Sequence, residues 1–125
     1  MERESRLALV IDDDPLERMS FGAFIEDQGW RVLVAANGAE AAAEIAGRAM
    51  CPSLILCDRQ VAGESGLAAL LRLRSLCGPR VLYVLLTGDT LPELVGRLAH
   101  EGVRAVYKPV MPEDICRLLR EAGRA

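Results

Sequence analysis

Carboxylate side chains follow two of the apolar runs in this sequence, at the points where those runs end. Asp12, Asp13 and Asp14 come directly after LALVI, and Asp58 comes directly after SLILC. If these runs are neighbouring strands of a parallel sheet, their ends meet at one edge and the acids lie close together. Carboxylates within a few ångströms repel one another, which raises the pKa of at least one of them unless a cation joins them. Their hard oxygen ligands suit Mg²⁺.

A hydroxyl group and an ammonium group stand at the ends of two further apolar runs. Thr87 follows VLYVLL, and Lys108 follows VRAVY. Lys108 is the only lysine among fifteen basic residues, and its compact charge on a slim stem suits a crowded anionic pocket better than a broad guanidinium does. A carboxylate nucleophile, a divalent metal, an ammonium and a hydroxyl donor are together the groups that phosphoryl transfer to an aspartate uses.

The apolar runs that must position these groups are continuous rather than alternating. This pattern is typical of strands buried on both faces, as in a parallel sheet. The five predicted strands lie at residues 7–11, 31–35, 53–57, 81–86 and 103–107.

Helix signals occur between the predicted strands. Three N-terminal signals are Asp14 before Pro15, Asn37 three residues before Glu40, and Thr90 three residues before Glu93. Two further helices are predicted at residues 66–76 and 113–121, and the predicted stop signals are Gly29, Gly78 and Gly102. Strands alternating with helices predict a flavodoxin-like (βα)5 fold, a three-layer α/β sandwich whose parallel five-stranded sheet has the order 2-1-3-4-5.

The composition predicts one soluble domain that spans residues 1–125. Hydrophobic residues make up 51% of the chain and charged residues 26%, as in globular proteins. The formal net charge of −3 argues against a chain that binds nucleic acid directly. The N-terminal MERESR leads into too few apolar residues for a signal peptide, and no run approaches the roughly 20 residues of a membrane span.

The four cysteines are widely spaced, at positions 51, 57, 77 and 116, and no C-x-x-C pair occurs. With a single histidine, His100, this spacing argues against a zinc site. Cys57 and Cys116 lie in apolar patterns and are predicted to be core residues. Free cysteines favour a reducing compartment, so we expect a cytoplasmic location.

Taken in order, these motifs resemble the receiver domain of response regulators, the phosphoacceptor module of two-component signalling. The resemblance covers essentially the whole chain and rests on LVIDDDP, LILCD, GESGL, LLTGDT and YKPV. LLTGDT and the aromatic-Lys-Pro-Val ending look most like receivers attached to hybrid sensor histidine kinases. The resemblance implies a sensor histidine kinase or a histidine phosphotransfer domain as partner. It implies no enzymatic activity beyond self-phosphorylation and autodephosphorylation.

The resemblance also implies a set of Mg²⁺ ligands. Asp12 and Asp13 should hold the ion, with Asp13 as the direct ligand. Asp58 and the backbone carbonyl of Gln60 should complete the protein ligands.

Roles in phosphoryl binding follow from the same motifs. Asp58 should be the phosphoacceptor, and Thr87 and Lys108 should bind the phosphoryl oxygens. The peptide bond between Lys108 and Pro109 is expected to be cis, which would aim the lysine inward.

Four positions are expected to tune or transmit the response. Gln60 and Asp89 occupy positions that tune dephosphorylation in the family. Ala105 replaces the aromatic residue that usually lies three residues before the lysine, while Tyr107 lies one residue before it. We therefore expect this chain to couple phosphorylation to its surface differently from its relatives.

The sequence leaves two other functions open. A small phosphatase with an aspartyl-phosphate intermediate would use the same chemistry, but it usually has a second acid where this chain has Gln60, and no segment remains for a cap. The changed switch residues favour a docking module that works without phosphorylation.

No effector follows Ala125, so we expect a stand-alone receiver or a piece of a longer hybrid protein. Its first helix, roughly residues 15–28, should meet the histidine donor.

Overall fold

All five apolar runs form strands of one parallel sheet. The computed structural model describes residues 2–124. The strands are β1 (Leu7–Ile11), β2 (Arg31–Ala35), β3 (Leu54–Asp58), β4 (Gln60–Val61), β5 (Glu64–Ser65), β6 (Leu82–Thr87) and β7 (Arg104–Tyr107). The parallel sheet has the order β2-β1-β3-β6-β7, and β4 pairs with β5 in a separate antiparallel hairpin. Because β6 and β7 are the fourth and fifth predicted strands, the predicted order is confirmed. The hairpin was not predicted.

Helices alternate with the strands of the parallel sheet. They are α1 (Pro15–Asp27), α2 (Gly38–Arg48), α3 (Gly66–Cys77), α4 (Pro92–Glu101) and α5 (Pro112–Gly123). The predicted ends of the third and fifth helices agree with the structure to within two residues. The three glycine stop signals are also confirmed, since Gly29, Gly78 and Gly102 follow α1, α3 and α4 with positive φ angles.

Alternate side chains of the strands build two separate cores, one on each face of the sheet. In β1, Leu9 and Ile11 belong to the core under α2, α3 and α4, whereas Ala8 and Val10 belong to the core under α1 and α5. This confirms the three-layer α/β sandwich. Burial on both faces holds for β1, β3 and β6, but β2 and β7 are edge strands and are partly exposed.

Two of the three predicted helix caps are confirmed. Asp14 accepts a hydrogen bond from the N–H of Leu16, and Asn37 accepts one from Glu40. The side chain of Glu40 accepts a hydrogen bond from the N–H of Ala36 at 3.1 Å, one residue before the N-cap Asn37.

The predicted cap at Thr90 is wrong. Pro92 takes the first position of α4, which makes Leu91 the N-cap residue, without a side-chain hydrogen bond. The carboxylate of Asp89 instead accepts the N–H of Leu91 at 2.9 Å and closes the turn before the helix.

The interpretation of the cysteines as free thiols is wrong for two of them, because Cys51 and Cys77 form a disulfide. Their 26-residue separation conceals the pair in the sequence, but the crossover through α3 returns the chain to the start of β3. Of the other two cysteines, Cys57 is buried as predicted, whereas Cys116 is only half-buried and therefore not a full core residue. The cysteines thus no longer support the expectation of a reducing compartment.

A short N-terminal segment pairs with the chain just ahead of β3. The N–H of Cys51 donates to the carbonyl of Glu2, and the N–H of Glu4 donates to the carbonyl of Cys51, each at 2.7 Å. The hydroxyl of Ser53 adds a hydrogen bond to the carbonyl of Glu4. These bonds fix residues 2–4 at the end of the sheet where β3 begins.

Within residues 2–124, no helix is both long enough and apolar enough to cross a membrane.

Candidate functional site

The carboxyl ends of β1 and β3 bring two of the predicted site acids together. The strands are neighbours, with Ile11 paired to Cys57, so Asp12 follows β1 beside Asp58 at the end of β3. Asp12 is buried, with 2% of its surface exposed, whereas Asp58 is half-buried. Within residues 2–124, carboxylate oxygens of Asp12, Glu17 and Asp58 lie within 4.8 Å of one another.

Glu17 is the member of this acidic group that sequence reasoning missed. It lies in the first turn of α1, where an acid is ordinarily explained by the helix dipole. The signal that could have identified it is Pro15, because a helix that starts so soon after Asp12 keeps its first turn beside the end of β1. Asp13 is exposed and lies outside this group, so its role as the direct metal ligand stays a prediction.

Lys108 lies next to the predicted phosphoacceptor. Its Nζ is 2.6 Å from Oδ1 of Asp58. The N–H of Lys108 donates to the carbonyl of Thr87 at 2.9 Å, which extends the pairing of β6 with β7 and brings the lysine to the same edge. The peptide bond between Lys108 and Pro109 is cis, as predicted.

The charges at this edge shift the pKa values of two groups. Burial raises the pKa of Asp12 from 3.8 to about 7, and the nearby Glu17 and Asp58 add to the rise, partly offset by a hydrogen bond from the N–H of Asp14. We expected repulsion between carboxylates to be the cause, but loss of solvent is the larger effect. Burial lowers the pKa of Lys108, but its hydrogen bond and charge interaction with Asp58 outweigh this effect and raise it.

Thr87 is buried at the end of β6, one strand away from Asp58. Its Oγ1 accepts a hydrogen bond from the N–H of Asp89 at 3.0 Å. Asp89 in turn forms a 3.0 Å ion pair with Arg59, the residue after Asp58. The loops that follow β3 and β6 are therefore joined across the site.

The chain after Asp58 is held against the start of α3. Gly66 donates its N–H to the carbonyl of Arg59 at 2.6 Å. A Cβ at Gly66 would overlap the backbone oxygen of Asp58 and lie 2.8 Å from Cδ1 of Leu85. Gln60 begins the hairpin, and a role for its carbonyl as a metal ligand stays a prediction.

The predicted switch positions lie along β7. Ala105 is half-buried and packs against the core under α4. Its small side chain leaves this position without an aromatic ring. Tyr107 is paired with Thr87 in the sheet register and is 40% exposed. Their roles in signal transmission stay predictions.

The acidic group meets the chemical requirements of a Mg²⁺ site. Its donors are carboxylate oxygens, which this cation prefers, and they are close enough together to share one ion. Asp12 and Asp58 are the predicted ligands that the structure brings together, and Glu17 is an additional candidate ligand. The raised pKa of Asp12 shows that its charge is poorly compensated by the protein alone.

The acidic group predicts a specific dependence of stability on pH. Asp12 has a higher pKa when folded, about 7, than its ordinary value of 3.8. The folded state therefore binds a proton at Asp12 more tightly than the unfolded state does. The stability that this proton provides is present at low pH and is lost as the pH rises towards 7. Without Mg²⁺, we expect Asp12→Asn to become more stable than the wild type as the pH is raised from about 4 to about 8.

Denaturant unfolding at several pH values checks this prediction, with Asp27→Asn as a control because Asp27 is exposed at the far end of α1. Millimolar Mg²⁺ should remove most of the wild type's loss at pH 8. A difference between Asp12→Asn and the wild type that is the same at every pH would contradict the expectation.

With this fold, and with these residues at the carboxyl edge of the sheet, the chain belongs to the response regulator receiver domain family. The model of that family matches residues 8–120. The chain is 34% identical over 114 residues to the transcriptional regulatory protein AruR of Pseudomonas aeruginosa, covering 86% of this chain and 45% of that protein. It is 31% identical over 113 residues to the probable transcriptional regulatory protein TcrX of Mycobacterium tuberculosis, covering 90% and 47%. The chain thus spans less than half the length of these two relatives.

Solved structures show the same fold. A response regulator receiver domain protein from Clostridium thermocellum superposes with a TM-score of 0.84, at 22% identity and with 94% of each chain covered. At this identity the likeness concerns the fold.

Proposed function

We propose that this receiver domain accepts a phosphoryl group on Asp58 from a histidine of a sensor kinase or a phosphotransfer domain, with Mg²⁺ as cofactor. The observation that carries the proposal is the contact between Lys108 and Asp58, 2.6 Å from Nζ to Oδ1, inside a group of carboxylates at the sheet edge. A lysine paired with one acid of such a group gives that acid a positive neighbour that can also contact an incoming phosphoryl oxygen.

In the proposed reaction, an oxygen of Asp58 attacks phosphorus as the bond from phosphorus to the donor histidine breaks. The bonding electrons remain on the imidazole nitrogen, and an acyl phosphate forms on Asp58. Mg²⁺ would supply positive charge at the phosphoryl oxygens, held by Asp12, Asp58 and Glu17, with Asp13 and the Gln60 carbonyl as further ligands. Lys108, which contacts Asp58 directly, would compensate negative charge on the carboxylate and on the phosphoryl group.

The hydroxyl of Thr87 can contribute a donor to the phosphoryl group. Its oxygen already accepts the N–H of Asp89, so its own hydrogen remains available to a phosphoryl oxygen. Donation would strengthen a link from the phosphoryl group through Thr87 to the loop before α4. Gln60 and Asp89, near the mouth of the site, are the positions we propose to tune dephosphorylation.

The surface of α1 has the character expected of a docking site for the donor. Leu16 and Met19 are 76% and 68% exposed in the first half of α1. Met19 lines a cleft that α1 shares with β2, where Val34 is also exposed. An apolar surface beside Asp12 lets a partner helix cover the site during transfer. We propose that the donor docks here.

The motifs LLTGDT and YKPV support a place in a hybrid sensor kinase, while the two curated relatives are named as transcriptional regulators. Both kinds of protein use the same phosphoacceptor chemistry. We propose the hybrid-kinase setting, and the coding sequence on either side of this chain tests it. A cytoplasmic location accompanies the proposal, because histidine kinases draw their phosphoryl groups from ATP.

The direct test is to incubate the protein with Mg²⁺ and acetyl phosphate and to measure its mass. We expect one added phosphoryl group per chain, labile to hydroxylamine and located on Asp58 by peptide mapping. Omitting Mg²⁺ should abolish most of the labelling. Absence of any adduct would refute the proposal and favour the docking module, and steady hydrolysis of phosphate monoesters would favour the phosphatase.

Lys108→Arg tests the reason for the single lysine. The guanidinium keeps the charge but is broader than an ammonium, so it should not fit between Asp58 and a phosphoryl group in the same way. We expect labelling to persist while the amide NMR shifts of Thr87 and β7 on phosphorylation are largely lost. Arg97→Lys, an exposed change on α4, is the control. Wild-type shifts in Lys108→Arg would show that only the charge matters.

A further inference from the structure

The disulfide between Cys51 and Cys77 encloses the segment that carries the proposed phosphoacceptor. The two cysteines are separated by 26 positions, and the closed loop contains β3, Asp58, the hairpin and all of α3. The bond lies at the end of the sheet opposite Asp58, because Cys51 precedes β3 and Cys77 ends α3. One covalent bond thus joins the residue ahead of β3 to the last residue of α3.

Cys51 is a firmly held anchor. It is fully buried, and its N–H and carbonyl both form 2.7 Å hydrogen bonds with the N-terminal segment. Cys77 is half-buried at the last position of α3. The disulfide therefore fixes the end of α3 to a rigid point beside β3.

The opposite end of α3 is packed against the backbone of Asp58. The N–H of Gly66 bonds to the carbonyl of Arg59, and no side chain would fit between Gly66 and the Asp58 carbonyl. A 12-residue helix is about 18 Å long and stiff, so a constraint at Cys77 extends to the chain around Asp58.

Non-covalent contacts also hold the end of α3. Arg74 pairs with Glu101 of α4 at 3.1 Å, and the hydroxyl of Tyr83 donates to the carbonyl of Gly78 at 2.6 Å. These contacts remain when the disulfide is broken. The reduced protein should therefore stay folded, with α3 held less tightly.

We propose that Cys51 and Cys77 form a reversible thiol–disulfide site that sets how firmly α3 holds the phosphoacceptor segment. The proposal rests on the proposed function, since Asp58 is the group it regulates. In a reducing compartment the dithiol form would prevail, and an oxidant would restore the disulfide.

Reduction of the disulfide needs a dithiol reductant, and its re-formation needs a small-molecule disulfide as the oxidant. A reductant thiolate attacks the sulfur of the half-buried Cys77, the bond between the sulfurs breaks, and Cys51 leaves as a thiolate that takes up a proton. The second thiolate of the reductant then displaces Cys77, which also takes up a proton. The reductant leaves as a disulfide.

The test compares three samples of the same protein. One is oxidised, one is reduced by dithiothreitol, and one is reduced and then reoxidised with oxidised glutathione. We expect reduction to lower the thermal midpoint by roughly 10 °C, as a loop of this size predicts. Amide hydrogen exchange in α3 and at Arg59 and Gly66 should become faster. Labelling of Asp58 by acetyl phosphate should become several-fold slower, and reoxidation should restore all three values.

Two variants separate this effect from general thiol chemistry. Cys116→Ser removes a thiol outside the pair and should keep the full difference between oxidised and reduced protein. The double variant Cys51→Ser, Cys77→Ser should resemble reduced wild type in both states. The proposal is wrong if reduction leaves exchange in α3 unchanged, if both states are labelled at the same measurable rate, or if the double variant still responds. If neither state is labelled, the proposed function fails, and hydrogen exchange at Arg59 and Gly66 alone decides whether the disulfide restrains this segment.

Discussion

Replacing Asp58 with asparagine is expected to abolish phosphoryl acceptance while leaving the domain folded. An amide keeps an oxygen that can accept the N–H of Arg59, a bond that is 3.0 Å long in the structure, but it has no nucleophilic carboxylate. The change also removes one negative charge beside Asp12 and Glu17. That relief offsets the loss of the partly exposed ion pair with Lys108, so we expect the unfolding free energy to change by about 1 kcal/mol or less.

Mass spectrometry after incubation with Mg²⁺ and acetyl phosphate measures this outcome. Asp27→Asn, the same chemical change at an exposed position far from the site, should be labelled like the wild type. Titration with Mg²⁺ should show weaker binding to Asp58→Asn, because one carboxylate ligand is lost. A label that persists in this variant and maps to Asp12 or Glu17 would show that the acidic group, rather than Asp58 itself, selects the phosphoryl group.

Replacing Gly66 with alanine is expected to cause a large loss of stability. Alanine is the better helix former and would ordinarily stabilise the start of α3 by up to about 1 kcal/mol. Here its Cβ would overlap the Asp58 carbonyl and approach Cδ1 of Leu85 to 2.8 Å. Neither the backbone nor the buried Leu85 can move freely, so we expect a net loss of about 2–4 kcal/mol.

Gly96→Ala provides the matched control for this substitution. Gly96 also lies in a helix, α4, but a Cβ there would meet nothing within 4 Å. We expect it to raise the unfolding free energy by about 0.5–1 kcal/mol. Denaturant unfolding measures both variants, and equal stability of Gly66→Ala and the wild type would show that α3 can shift away from Asp58. In that case the restraint proposed for the disulfide would also lose its physical basis.

The parts of the structure that follow from local signals could be predicted from the sequence. Continuous apolar runs identified the five strands, and the polar residues at their ends identified Asp12, Asp58 and Lys108 as neighbours. Parallel topology places every strand's carboxyl end at the same edge, so these positions needed no knowledge of side-chain packing.

The features that depend on how elements pack could not be predicted in this way. Glu17 has an ordinary explanation as an acid in a first helical turn, and only the approach of α1 to β1 brings it to the site. Cys51 and Cys77 are distant in sequence, and only the return of α3 along β3 makes them neighbours. The cap at Thr90 was wrong because a local motif competed with Pro92 for the start of α4.

The pairing of residues 2–4 with Cys51 has a practical consequence for binding measurements. From Cys51 to Asp58 the extended chain covers about 23 Å, so the N-terminal segment and Asp58 lie at opposite ends of the molecule. An affinity tag or a fluorescent dye attached to this segment would therefore be held far from the face proposed for the donor. Immobilising the domain by that end on a sensor surface should therefore leave Asp58 and α1 open to a histidine-bearing partner.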